Sequence, residues 1–137
     1  MLPTRCLCTK LRRASRGVSR IYDDALADIG LNVAQFSLLR NLQRLDRPSI
    51  SALAEALGLD RSTLGRNLRV VEGMGLVQMG EGADQRSRQV VLTESGEHLL
   101  ERGAPLWERA QQELARRLGD DKRAALMLLL DDLETID

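Results

Sequence analysis

Two short stretches of helical apolar spacing, joined by a tight turn, constrain this chain most. Ile50, Leu53, Ala54 and Leu57 mark one face of a helix, and Leu64, Leu68, Val71 and Met74 mark the buried edge of another. Only Gly58, Leu59 and Asp60 stand between them. Glycine adopts the left-handed backbone that ends a helix, and an aspartate at the start of the next accepts one of its orphan backbone N–H groups. A turn this short gives the helix-turn-helix arrangement. Two strand-like runs follow at once, Leu76–Met79 and Gln89–Leu92, joined by a polar loop from Gly80 to Arg88 with two glycines and charges of both signs. Helix-turn-helix followed by hairpin is the outline of a winged helix-turn-helix.

Helical patterning continues on both sides. From Leu7 the apolar positions Leu11, Ala14, Val18, Ile21, Ala25 and Ile29 follow in steps of three and four, and Gly30 offers a stop. Phe36, Leu38, Leu39, Leu42 and Leu45 indicate a second helix ending near Asp46 and Pro48. After the hairpin, Thr93 caps a long helix through Leu99, Leu100, Leu106, Ala110, Leu114 and Leu118, in which Pro105 is expected to introduce a kink. Gly119 ends it, and Asp120 is expected to cap a last helix along Leu126, Leu129, Leu130, Leu133 and Ile136. The expected fold class is mainly α with a small β hairpin (α+β), a winged helix-turn-helix with N- and C-terminal dimerisation helices. Residues 1–137 read as a single domain, with a lobe at 31–93 and dimerisation helices at 1–30 and 94–137. The flanking apolar stripes exceed what the lobe can cover, and interleaving them with a second copy of the chain buries them.

Composition narrows the function. The 137 residues are 43% hydrophobic, but Tyr22, Phe36 and Trp107 are the only aromatics, so the core is built from Leu, Ala and Val. No run approaches the roughly 18 apolar residues of a membrane span, and the Arg-rich N-terminus lacks the apolar stretch of a signal peptide. A cytoplasmic location is the default expectation. Net charge is zero, yet Arg5, Lys10, Arg12, Arg13, Arg16 and Arg20 crowd one end and Asp120, Asp121, Asp131, Asp132, Glu134 and Asp137 the other. Placement of cations therefore carries more information than their total. No Ser/His/Asp arrangement, phosphate-cradling glycine loop or metal-ligand spacing occurs, and His98 is the single histidine. Neither enzymatic activity nor a metal or cofactor is expected.

At this level the chain resembles a MarR-type transcriptional regulator over nearly all its length. The stretch from Leu31 to Leu39 (LNVAQFSLL) resembles the family's entry into the second helix, and Leu53 to Leu64 (LAEALGLDRSTL) its helix-turn-helix. Glu72 to Val77 (EGMGLV) resembles the passage into the wing, and Asp84 to Thr93 (DQRSRQVVLT) matches the wing signature D-x-R-x-x-x-V-x-L-T. The resemblance implies an obligate homodimer on a pseudo-palindromic double-stranded DNA operator. Such a dimer commonly represses nearby genes and is released by a small molecule, often phenolic, or by thiol oxidation. It also gives Asp84 the role of orienting Arg86 through a salt bridge.

The chemistry of such a contact can be read from the residues. The N-terminal part of the second helix of a helix-turn-helix enters the major groove. Here that part carries Arg61, Ser62, Thr63, Arg66 and Asn67, with Arg69 further along and Gly65 removing a side chain where DNA would approach. Arg66 and Asn67 have the donor geometry to read guanine and adenine edges respectively, and the sequence leaves open which does so. Ser62 and Thr63 at the helix N-terminus suit phosphate. Arg86 at the wing tip is the candidate for a minor groove, whose negative potential attracts arginine, and Arg88 for a phosphate. Paired recognition helices would reach major grooves about 34 Å apart. A winged-helix module that binds protein without DNA is the competing reading, and it has no need of Arg61, Arg66, Arg69, Arg86 and Arg88.

Four further residues carry open readings. Cys6 and Cys8 lie beside Arg5 and Lys10, where positive charge and a helix N-terminus lower a thiol's pKa. They read as packing residues of a dimer arm, as an oxidant-sensing pair, or, least supported by spacing, as metal ligands. An intrachain Cys6–Cys8 disulfide would require local unwinding, because positions i and i+2 of a helix point nearly opposite ways. Tyr22 and Trp107 read either as core or interface residues or as the lining of a ligand pocket between the dimer helices and the lobe.

Overall fold

The computed structural model describes residues 1–136, so Asp137 among the C-terminal acids lies outside the described residues. Helix α1 (Leu7–Leu26) runs into a 3-10 turn (Ala27–Ile29) that closes at Gly30 with φ of 74°. Helix α2 (Val33–Leu45) starts with a capping box in which Asn32 and Gln35 each accept the other's backbone N–H. A second bond fixes this start from outside: Val33 N–H donates to the Asp23 carboxylate of α1 at 2.7 Å. Helix α3 (Ile50–Leu57) is capped by Ser49 and stopped by Gly58 at φ of 65°, and Asp60 caps α4 (Arg61–Gly73). The turn forms as its residue types require.

Strands β1 (Val77–Met79) and β2 (Val90–Leu92) pair antiparallel, with Val77 opposite Leu92 and Met79 opposite Val90. Each is one residue shorter than the sequence pattern indicated. Gln89, whose carbonyl still accepts Gly80 N–H at 2.7 Å, also forms an isolated bridge with Ser49 that extends the hairpin toward the start of α3. Helix α5 (Glu94–Leu118), capped by Thr93, continues unbroken through Pro105. Helix α6 (Asp120–Glu134) begins after Gly119, which holds the cap position; Asp120 is its first helical residue and not its cap, and Ile136 lies beyond its end. Asp120 and Asp121 still favour this start, since carboxylates in a first turn complement the helix dipole.

One core holds the lobe to α5. Leu38, Leu39, Leu53, Leu64, Val71, Val77 and Val90 are fully buried, and Leu26, Phe36 and Leu100 join them from the helices around. Met74 does not: it is exposed, as is Val70 one turn before it, so the buried edge of α4 ends at Val71. Two glycines in α5 permit the close approach. A Cβ at Gly103 would stand 2.5 Å from the Phe36 ring, and the site of one at Gly96 falls against the Leu76 carbonyl. No helix among the described residues is long and apolar enough to cross a membrane.

The flanking helices are different. Along α1, Leu7, Leu11 and Val18 are exposed, and α6 buries no residue at all: Leu126, Met127, Leu128, Leu129 and Leu133 stand open on it.

Candidate nucleic-acid interface

Helix α4 is anchored by Leu64, Leu68 and Val71, which turn the opposite face outward. Arg61, Ser62, Arg66 and Arg69 are exposed on that face, while Thr63 and Asn67 are half-buried along its edge. Nothing stands within 4 Å of a Cβ built on Gly65, so the helix presents bare backbone there. Asp60 organises the helix start. Its carboxylate accepts Thr63 N–H at 2.7 Å and the Ser62 hydroxyl at 2.8 Å, and these bonds hold it below the usual carboxylate range. The Ser62 proton is therefore directed at Asp60 and not outward. The Thr63 hydroxyl oxygen receives Arg66 Nη2 at 3.4 Å, which leans that guanidinium along the helix.

The wing tip is a single turn from Asp84 to Ser87. Asp84 N–H donates to Ser87 Oγ and Ser87 N–H to Asp84 Oδ1, both at 3.0 Å, and the Ser87 hydroxyl donates to the Asp84 carbonyl at 3.2 Å. The ion pair expected from the family resemblance is present, with Arg86 Nη2 3.6 Å from Asp84 Oδ2. Both side chains are more than half exposed, and an exposed pair at that distance contributes little. The Asp84 carboxyl is held below its ordinary range chiefly by Ser87, through its N–H and then its hydroxyl, with the Arg86 charge a lesser cause. Arg88 bends back, donating Nε–H to the Gly80 carbonyl at 3.2 Å, so it braces the base of the wing. Gly82 permits this fold: a Cβ there would stand 2.5 Å from the Ser87 carbonyl carbon and the Arg88 nitrogen.

Wing and helix-turn-helix are also joined by main chain. Ile50 N–H donates to the Arg88 carbonyl at 3.0 Å, Ser51 N–H to the Arg86 carbonyl at 3.1 Å, and Val90 N–H to the Pro48 carbonyl at 2.9 Å. Two orphan donors of α3's first turn are thereby satisfied by the wing. Between α4 and the wing lies a hollow of about 490 Å³, into which Arg61, Ser62, Arg66, Arg69, Gln85 and Arg88 converge. Arg86 is not part of its lining and projects from the tip. Gln85, Ser87 and Gly82 belong to this surface and were not singled out from sequence. The Asp-x-x-Ser spacing of a reciprocal cap was the signal for Ser87.

The remaining candidates lie elsewhere. Cys6 occupies the cap position of α1 and is exposed, as is Cys8, and both are free thiols. Hydrogen bonds from the Thr9 hydroxyl and backbone pull the Cys6 thiol below its usual pKa. No group of three or more metal-ligating side chains gathers among the described residues. Trp107 lines a hollow of about 340 Å³ between α2 and α5, with Arg40 stacked 4.2 Å from its ring centroid. Tyr22 does not share this lining. Its hydroxyl is hydrogen-bonded to Gln111 of α5, and burial, with Glu108 nearby, raises its pKa.

A short turn between two helices, an arginine-bearing second helix and an adjoining two-stranded wing define a winged helix-turn-helix protein. The chain belongs to the MarR family of transcriptional regulators, whose profile matches residues 29–87. It is 32% identical over 103 residues to the transcriptional regulator HosA of Escherichia coli O127:H6, spanning 73% of this chain and 75% of that one. Its fold superimposes on the M. tuberculosis transcriptional regulator MosR in complex with DNA, with a TM-score of 0.82, 36% identity and coverage of 95% and 97% of the two chains. The transcriptional repressor CouR bound to a 23-mer DNA duplex matches with a TM-score of 0.82 and 31% identity over 93% and 92%. CouR has also been solved bound to p-coumaroyl-CoA.

Proposed function

We propose that the protein is a homodimeric repressor that binds a pseudo-palindromic duplex operator. Residues 31–93 form the DNA-binding lobe, and residues 1–30 and 94–137 form the dimerisation helices. Arg66 and Asn67 read base edges in the major groove, Arg61, Thr63 and Arg69 hold phosphates beside them, Arg86 enters the flanking minor groove, and Asp84 and Ser62 order the elements that carry these groups. Arg88 meets phosphate with the guanidinium nitrogens its brace leaves free. The observation that carries this reading is the convergence of four arginines from α4 and the wing on one hollow. The exposed apolar length of α6 supports the dimer, since a helix apolar on most sides is stable only when covered. Such a regulator works beside the DNA it reads, in the cytoplasm.

Release follows from a preference of an effector for a dimer whose recognition helices no longer match successive grooves. Two places suit an effector: the Trp107–Arg40 hollow, which fits an aromatic acid of the phenolic type, and the N-terminal thiols Cys6 and Cys8, which suit an oxidant. A titration of genomic duplex fragments tests the central reading. Affinity is expected to fall steeply with salt as phosphate-bound counterions are released. Absence of any shift at low ionic strength would overturn it and favour the protein-binding alternative.

A further inference from the structure

We propose that Ser87 is the positioning residue that sets Arg86 for the minor groove, an inference that rests on the DNA-binding reading above. Family resemblance assigns that role to the Asp84–Arg86 ion pair, but the geometry puts the constraint elsewhere. The Arg86 side chain meets Asp84 only at 3.6 Å, with both groups largely in solvent. The turn that carries it, in contrast, is closed by three bonds between Asp84 and Ser87 and anchored by one to the Arg86 backbone. The Ser87 hydroxyl accepts Asp84 N–H at 3.0 Å and donates to the Asp84 carbonyl at 3.2 Å, so one side chain ties off both polar groups of the residue at the far end of the turn. Ser87 N–H returns a bond to the Asp84 carboxylate at 3.0 Å. The carbonyl of Arg86 itself is held by Ser51 N–H of α3 at 3.1 Å. The turn is thus closed around Gln85 and Arg86 by Asp84 and Ser87, and attached to the helix-turn-helix by α3. Steric fit at Gly82 admits no side chain against the Ser87 and Arg88 backbone, which keeps the returning strand in place. A long arginine presented from a closed turn loses less freedom on binding than one carried by an open loop.

Ser87→Ala removes the two hydroxyl bonds and leaves the Asp84 carboxylate and the Arg86 guanidinium intact. It is expected to weaken operator binding by about 3- to 10-fold, the size of losing preorganisation of one groove contact. Ser87→Thr, which keeps the hydroxyl, is expected to restore it. In an Arg86→Ala background the Ser87→Ala effect should vanish, because a residue acting through Arg86 has nothing left to position. A second readout separates positioning from general damage. Operators carrying diaminopurine in place of adenine put an amino group into the minor groove beneath the wing. Ser87→Ala should lose discrimination against that change while keeping discrimination at the major-groove positions, with an unchanged melting temperature. Wild-type affinity in Ser87→Ala, or a loss that persists in the Arg86→Ala background, overturns the proposal and leaves DNA binding untouched. A wild-type protein that binds no duplex overturns both.

Discussion

The core between Leu31 and Thr93 and the last helix, α6, draw on the same leucine-rich composition, yet end in opposite conditions. In the lobe, Leu38, Leu39, Leu53 and Leu64 each have essentially no contact with solvent. On α6, Leu128 is 67% exposed and Leu129 60%, and no residue of the helix is buried. Burial of a leucine contributes about 1.5–3 kcal/mol, so the core is stabilised within one chain while α6 leaves that free energy unrealised. Self-sufficiency in this molecule is therefore local. The α4–wing surface rests on a core that α1 and α5 help to close, and under the dimer proposal the relative placement of two such surfaces is set by contacts between chains.

Helix α6 is where the contrast with the core is tested most directly. Leu129→Glu combined with Leu133→Glu places charges on the open stripe without touching the lobe. The pair is expected to abolish dimerisation in sedimentation equilibrium and to lower operator affinity by at least about 100-fold, since each half-site is then held without the effective concentration its partner supplies. A dimer that survives both substitutions would mean the exposed stripe is not the interface. Leu64→Ala attacks the other side. It empties a fully buried position between α4 and the core and should cost about 2–5 kcal/mol in thermal or urea unfolding. Leu128→Ala is expected to show no comparable loss at protein concentrations where the dimer dissociates, and equal losses at the two sites would erase the contrast.

Arg86→Ala sharpens the comparison within the lobe, between the recognition helix and the wing. It should weaken operator binding by about 1–3 kcal/mol, the usual scale of one good groove contact, with stability unchanged. An unmoved gel-shift midpoint would leave the hairpin a structural appendage of α3.

Most of the architecture was legible because the chain's signals agree at each level. Gly58 and Asp60 lie where the turn needs them, Thr93 where α5 begins, and Leu64 and Leu68 where α4 meets the core. The misreadings have common causes. Met74 keeps the helical period of the buried edge but falls at the end of α4, past the core, and period alone cannot say where a core stops. Leu76 and Gln89 satisfy strand composition but fall just outside the paired ladder: the Leu76 carbonyl accepts Thr93 N–H, and Gln89 is bonded to Gly80 and Glu81 across the hairpin while also bridging to Ser49. Gly103 carried no local signal, since its use is defined by Phe36 from another helix. At the wing, the arginines announced themselves by charge, whereas Ser87 acts through hydrogen bonds to a residue three positions back. The Trp107 hollow was half legible: the tryptophan stood out, while Arg40 and the α2–α5 packing that form the rest are tertiary facts.

The smallest expected effect concerns how the recognition helix is started. Asp60 is held below the usual carboxylate range by Thr63 N–H and the Ser62 hydroxyl, so the folded chain binds its proton less readily than the unfolded chain does. Its contribution is therefore fully present above the unfolded value, about pH 3.9, and is lost as pH falls through the lower folded value. Asp84 has a shift of the same sign from Ser87, so both organisers of the candidate interface weaken together in acid. Asp60→Asn keeps an oxygen acceptor for Thr63 N–H but cannot titrate. It should flatten the acid limb of a stability-against-pH curve by a fraction of one proton, the difference showing as a small loss of stability near neutrality that disappears in acid. An acid limb as steep as that of the wild type would show that the charge on Asp60 is not what holds the first turn of α4, and that its neutral cap suffices.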